Sequence, residues 1–199
     1  MRAVPLLVLF AAAAAPAAAR DVDYGRSEAE LRAVAAQRRA EPLIAAPSRG
    51  DADVVIEDAA RLDHQVAILN PACGTSVNNP LSQMVGRALV AWDRDARLEP
   101  IAGRPLLRLR ISNTRSSLRC VLVGQIRVRC LIRTAIDGEA ELATPGASPR
   151  TERFSVEDQQ VIVPRILCGG FADGIAITGW TVSMRLVERL RQMLDATAG

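Results

Sequence analysis

The chain has 199 residues, with 25 basic side chains against 22 acidic ones, a net charge of +3. Every basic residue is arginine, 49% of residues are apolar and only 3% are aromatic. That apolar content excludes a disordered tail protein, and the length argues against a multi-domain assembly.

The first nineteen residues read as an export leader. Met1-Arg2 supplies a positive start, Val4 to Phe10 and the following alanines supply an apolar core, and Ala17-Ala18-Ala19 fits the small-residue cleavage rule. Arg20 is then expected as the first mature residue. The alternative, an uncleaved anchor, has only Ala3 to Ala19 to work with, interrupted by Pro5 and Pro16; a membrane span needs about 20 strongly apolar residues. The first cysteine is Cys73, so the sequence offers no thiol at the cleavage point for lipid attachment. No later stretch is long and apolar enough to suggest a span.

Residues 20–52 read as an N-terminal helix and linker. Ser27 and Glu30 form a capping box ahead of a helix from about Glu28 to Ala40, whose apolar positions are mostly alanine. Pro42, Pro47, Ser48 and Gly50 mark the linker. Residues 53–199 are expected to form one disulfide-bonded domain.

Within that domain Val55, Ala59, Leu62, Val66 and Leu69 recur at helical spacing and predict a helix ending at Asn70-Pro71, although Gln65 to Leu69 also suits a strand. Asn79-Pro80 predicts a capped helix start. Leu81, Met84, Val85, Ala88, Leu89 and Trp92 then mark one face of a helix from Pro80 to about Asp93. The period next changes to two. Leu107, Leu109 and Ile111 alternate with Arg108 and Arg110, Arg119 to Val123 forms another run, and Ile126, Val128, Cys130 and Ile132 alternate with Arg127, Arg129 and Arg133. Asp137-Gly138 predicts a hairpin turn, Thr144 to Pro149 a loop, and Arg150 to Val156 and Gln160 to Leu167 two further strands. Pro164 would place the last of these at an edge or bulge. A final helix carries a stripe of Val182, Leu186, Leu190 and Met193, with Gly179 expected before its start. The expected class is α+β: an antiparallel sheet covered on one face by two amphipathic helices.

Four cysteines, Cys73, Cys120, Cys130 and Cys168, read as two disulfides in an oxidising compartment. Spacing allows three pairings. A continuous strand would hold Cys120 and Cys130 about 33 Å apart, so each would need Cys73 or Cys168 as its partner. A turn near Gly124-Gln125 would instead set Cys120 against Cys130 and leave Cys73–Cys168 as the second bridge. The hairpin arrangement is preferred.

Motifs for familiar catalysis are missing. The chain lacks G-x-S-x-G, a Walker loop, G-x-G-x-x-G and C-x-x-C, so neither a cofactor nor a metal is expected. His64 is the sole imidazole, with Asp63 adjoining it and Asp58 and Asp95 as conceivable neighbours. An enzyme centred on it is the alternative reading; the plainer one sets it on the wet side of its helix.

Arginine patterning points to a surface. Strand alternation places Arg108, Arg110, Arg127, Arg129 and Arg133 on one side of the sheet, with Arg119 joining them depending on the turn. Guanidinium forks match phosphate and carboxylate, so the face is a candidate for an anionic lipid, an acidic glycan or an acidic envelope protein. Too few aromatics are present for base stacking, so nucleic acid is not expected. A competing expectation neutralises the face internally through Glu139, Glu141 and Glu152 on neighbouring strands. Together these features predict an exported, periplasmic or secreted protein without catalysis, a binding or assembly component of a bacterial-type envelope.

Overall fold

The computed structural model describes residues 20–21, 52–70, 73–92, 94, 101–123, 127–162 and 170–196. The leader, the helix expected from Glu28 to Ala40, the linker, Asp95, Pro164 and Cys168 lie outside them. Among the described residues no helix is long and apolar enough to cross a membrane.

After β1 (Arg20–Asp21), the segment expected as one helix is two strands. β2 (Asp53–Glu57) leads through a short 3-10 turn (Ala59–Leu62) to β3 (His64–Asn70). Val54, Val55 and Ile56 are branched at Cβ and stiff, which suits a strand. Asp58 follows in a left-handed conformation (φ 55°), which breaks any helix there. The helical spacing arose because Leu62 and Val66 both face the core, one from the turn and one from the strand. β3 pairs antiparallel with β4 (Cys73–Asn79), which also takes Arg20–Asp21 in parallel.

The helix expected after Asn79 is present as α1 (Leu81–Ala91), and it buries Leu81, Met84, Val85, Ala88 and Leu89 as the spacing requires. Its cap differs from expectation. Asn79 is buried and donates to Ser116 Oγ (3.3 Å). The first turn is instead capped by Asp63, whose carboxylate accepts from Ser82 N (2.8 Å) and Ser82 Oγ (2.9 Å). An acid at that end is also favoured by the helix dipole.

The main sheet has the order β2-β5-β6-β7, with β5 at Leu106–Val123, β6 at Arg127–Ala143 and β7 at Arg150–Ile162. β5, β6 and β7 run antiparallel, but β2 lies parallel to β5, so the sheet is mixed. A parallel neighbour needs a long crossover, and β3, β4 and α1 supply it. Asp137-Gly138 is not a turn. It lies inside β6, where Gly138 faces Ile111 on one side and Phe154 on the other. A Cβ at Gly138 would sit 2.6 Å from the Phe154 ring, so the glycine makes room for packing. β5 and β6 pair antiparallel as far as Val123–Arg127, and the turn expected at Gly124-Gln125 lies outside the described residues.

β5 is continuous through Asn113 to Ser117 because of one register shift between Ile111 and Asn113. Before this bulge the odd residues Leu107, Leu109 and Ile111 face the core. After it the even residues Leu118 and Cys120 do. The final helix, α2 (Phe171–Asp195), is longer than expected, and Gly179 lies inside it. Gly174 gives α2 its approach to the sheet, since a Cβ there would collide with Ile132. α2 lies on β6 and β7, and α1 packs beside α2. Leu107, Leu109, Ile132, Ile136 and Leu142 from the sheet meet Leu186, Val187 and Leu190 of α2 in one apolar core. The fold is α+β.

Candidate anion-binding face

The bulge in β5 decides which arginines share a side. It flips the phase, so Arg108 and Arg110 before it and Arg115 and Arg119 after it all lie on the face opposite the core. β6 has no such shift, and Arg127, Arg129 and Arg133 occupy its odd, outward positions. The backbone register therefore brings the five predicted arginines to one side, with Arg119. The side chain of Arg127 lies outside the described residues. Arg115 was missed in the sequence reading, because only an unseen bulge aligns it with the others.

The near half of this face is a mixed-charge lattice. Glu57 at the end of β2 accepts from Arg108 Nε and Arg110 Nε, each at 2.9 Å, one at each carboxylate oxygen. Glu141 lies 3.4 Å from Arg108 and 3.8 Å from Arg110, and Glu139 lies 3.9 Å from Arg110. These acids raise the Arg110 pKa above its usual value, the hydrogen bond that Arg110 donates to Glu57 contributing most. Arg133 pairs with Glu157 of β7. Arg115 reaches Asp137 at 2.5 Å. Asp137 also accepts from Ser155 Oγ (2.6 Å), and this bond, followed by Arg115, holds its carboxyl below the usual 3.8. Two of the three acids expected as cross-strand partners, Glu139 and Glu141, do face these arginines. Glu152 does not: its position on β7 points to the helix side, where it pairs with Arg189 of α2. Glu57 takes its place, and that residue was hidden by the helical reading of its segment.

The far half is different. Arg119 and Arg129 are exposed and have no acidic partner among the described residues. Around them on the same face lie Val121 (60% exposed), Val123, Leu131 and Val161 (61% exposed). Beneath them a disulfide joins Cys120 to Cys130, which are directly opposite in the β5–β6 register. The preferred pairing is thus present for that bridge; the second one, Cys73–Cys168, falls outside the described residues.

His64 is not on a helix. It opens β3, half-buried, with Nδ1 3.0 Å from the Leu62 carbonyl oxygen. It borders an open hollow of about 340 Å3 together with Asp63, Gln65, Asn78, Asn79 and Pro80. The neighbouring acids are engaged elsewhere, Asp63 by Ser82 and Asp58 by Arg61. Nε2 is buried without a partner among the described residues. Also among the described residues, no three His, Cys, Asp or Glu side chains gather as a metal site.

No family model matches the chain, and no curated relative is found. Among solved structures it is similar to a minor lipoprotein from Acinetobacter baumannii, with 11% identity and a TM-score of 0.38 over 73% of this chain and 91% of that one. Rare lipoprotein B from Shewanella oneidensis gives 13% identity and a TM-score of 0.30 over 73% and 86%. A lipoprotein described from Caulobacter crescentus gives 16% and 0.37 over 73% and 90%. Likeness at this level carries no argument about what this chain does.

Proposed function

We propose that this chain is an exported, non-catalytic component of a cell envelope, periplasmic or secreted, that binds an anionic ligand or acidic partner through the arginine-bearing face of its main sheet. Two features support export: a leader-like N-terminus, and a cystine between Cys120 and Cys130, a bond that persists in oxidising compartments. One observation carries the binding reading. From Pro100 to Ile136 the sequence holds eight arginines and no acid, and the described acids that neutralise part of that charge, Asp53, Glu57, Asp137, Glu139, Glu141 and Glu157, reach Arg104, Arg108, Arg110, Arg115 and Arg133. Arg129 among the predicted binding residues, with Arg119 beside it, keeps its charge available to an outside anion.

Retention on a sulfated polysaccharide matrix tests this. Arg119→Glu/Arg129→Glu should release the protein at markedly lower salt than the parent. Arg108→Gln/Arg110→Gln should shift release only slightly, because those guanidiniums are already bonded to Glu57 and Glu141. Equal shifts from the two double variants, or none from the first, would reject the proposal.

A further inference from the structure

The described part of β7 ends at Ile162, opposite Cys130. Beyond that line, among the described residues, β5 and β6 continue as a ribbon through the pairs Val121–Arg129, Leu122–Val128 and Val123–Arg127. Among the described residues, seven large hydrophobic side chains are exposed, and five belong to this end: Val121, Leu122, Val123, Leu131 and Val161. Leu122, 67% exposed, points to the side opposite Val121 and Val123, so both faces of the ribbon are apolar. Apolar patches of this kind mark contact surfaces.

We propose that the disulfide-bonded end of the β5–β6 hairpin docks the protein onto an anionic phospholipid bilayer, with its valines and leucines entering the headgroup–acyl boundary while Arg119 and Arg129 bond lipid phosphates. The inference rests on the anion-binding reading above and names the ligand of that face.

Three observations favour a bilayer over other occupants. Two-sided exposure suits immersion: a flat protein partner would cover Val121 and leave Leu122 in water. The charge is complementary to lipid phosphate, since residues 119–131 contain three arginines and no acid, and the adjoining end of β7, Gln159 to Ile162, is uncharged. Long arginine side chains near an interface keep their stems in apolar surroundings and their guanidiniums among headgroups. A second copy fits poorly. A two-fold contact would set the same patch against itself, so the cationic patch of Arg119 and Arg129 would face a like-charged patch without a described acid between them. The Cys120–Cys130 bridge lies at the base of the ribbon and holds its two strands in register for insertion.

Co-sedimentation of the exported chain with vesicles provides the test. Binding is expected to vesicles of phosphatidylglycerol mixed with phosphatidylcholine and to be nearly absent from phosphatidylcholine alone. One arginine near an anionic surface is worth roughly fivefold in partitioning, so Arg119→Gln/Arg129→Gln should weaken binding about 25-fold. Val121→Asn/Leu122→Asn should also weaken it at unchanged net charge and unchanged melting temperature, because both side chains are exposed. Arg153→Gln, at an outward site far along the sheet, should leave it as in the parent. Equal binding to both vesicle types, or anionic-vesicle binding that survives either tip variant, overturns the proposal. If vesicles fail while the sulfated matrix still retains the protein through Arg119 and Arg129, the docking inference falls and the anion-binding function stands. Failure of both removes both. Dimerisation through the tip, or saturable binding of an acidic polypeptide in place of vesicles, also counts against a lipid occupant.

Discussion

Thr134 is the most informative residue to change in the core. It is fully buried on β6, within an apolar cluster, and so is Thr178 on α2. Four polar side chains form a chain there. Asn79 Nδ2 donates to Ser116 Oγ at 3.3 Å. Ser116 Oγ lies 3.0 Å from Thr134 Oγ1, and Thr134 Oγ1 lies 2.8 Å from Thr178 Oγ1. Thr178 ends the chain by donating to the Gly174 and Ile175 carbonyls (3.2 and 3.1 Å). Because Thr178 spends its proton on those carbonyls, the protons order in one sense, from Asn79 through Ser116 and Thr134 to Thr178. Thr134→Val therefore removes one accepted and one donated bond at once. At about 1 kcal/mol for each net bond, plus a smaller penalty for the half-buried Ser116 hydroxyl left without its acceptor, the loss is about 2–3 kcal/mol. For a chain of this size that lowers the melting temperature by roughly 4–12 °C. Thr178→Val strands the Thr134 proton in the core and should cost a similar amount. The double variant removes both halves of the shared bond, so it should cost at least about 0.5 kcal/mol less than the two singles together. Urea melts of the four proteins supply the cycle. Strict additivity, or a Thr134→Val protein as stable as the parent, would refute the ordered relay and reduce these contacts to proximity.

Two further outcomes follow from the sheet. Cys120→Ser/Cys130→Ser opens a ten-residue loop, which in the chain-entropy treatment corresponds to about 2–3 kcal/mol. Faster amide exchange should concentrate at the hairpin end while the amides of α2 change no more than global stability requires, and uniform acceleration would contradict a local staple. Asp137 has its carboxyl held below the usual 3.8 in the folded protein, chiefly by Ser155 and then by Arg115, so its contribution is present above that value and lost as pH falls through the native one. Asp137→Asn should therefore be less stable than the parent near pH 6, with the gap shrinking towards about pH 3 in urea titrations. A gap that widens on acidification would reverse the assigned cause.

How far the sequence could be read depended on the range of the interactions that decide each element. α1 was legible because Leu81, Met84, Val85, Ala88 and Leu89 encode its buried face within three turns. The antiparallel pairing of β5 with β6 was legible because it sets two cysteines opposite each other, and Cys120 and Cys130 are bonded. Elements settled by distant partners were not. Asp137-Gly138 has the composition of a turn, yet Gly138 exists to admit the Phe154 ring from a strand that follows it. Among the described residues Val54 to Ile56 has no paired strand within fifty residues, and its parallel partner is Leu107 to Leu109. That same long-range pairing carries Glu57 to Arg108 and Arg110. Charge balance on the face is thus a consequence of topology: β2 delivers an acid to one end of β5 and no described strand delivers one to the other. Alternation alone forecast a uniform row of arginines. Acids from β2, β6 and β7 neutralise one part of the row, and Arg119 and Arg129 are left without a described acidic partner.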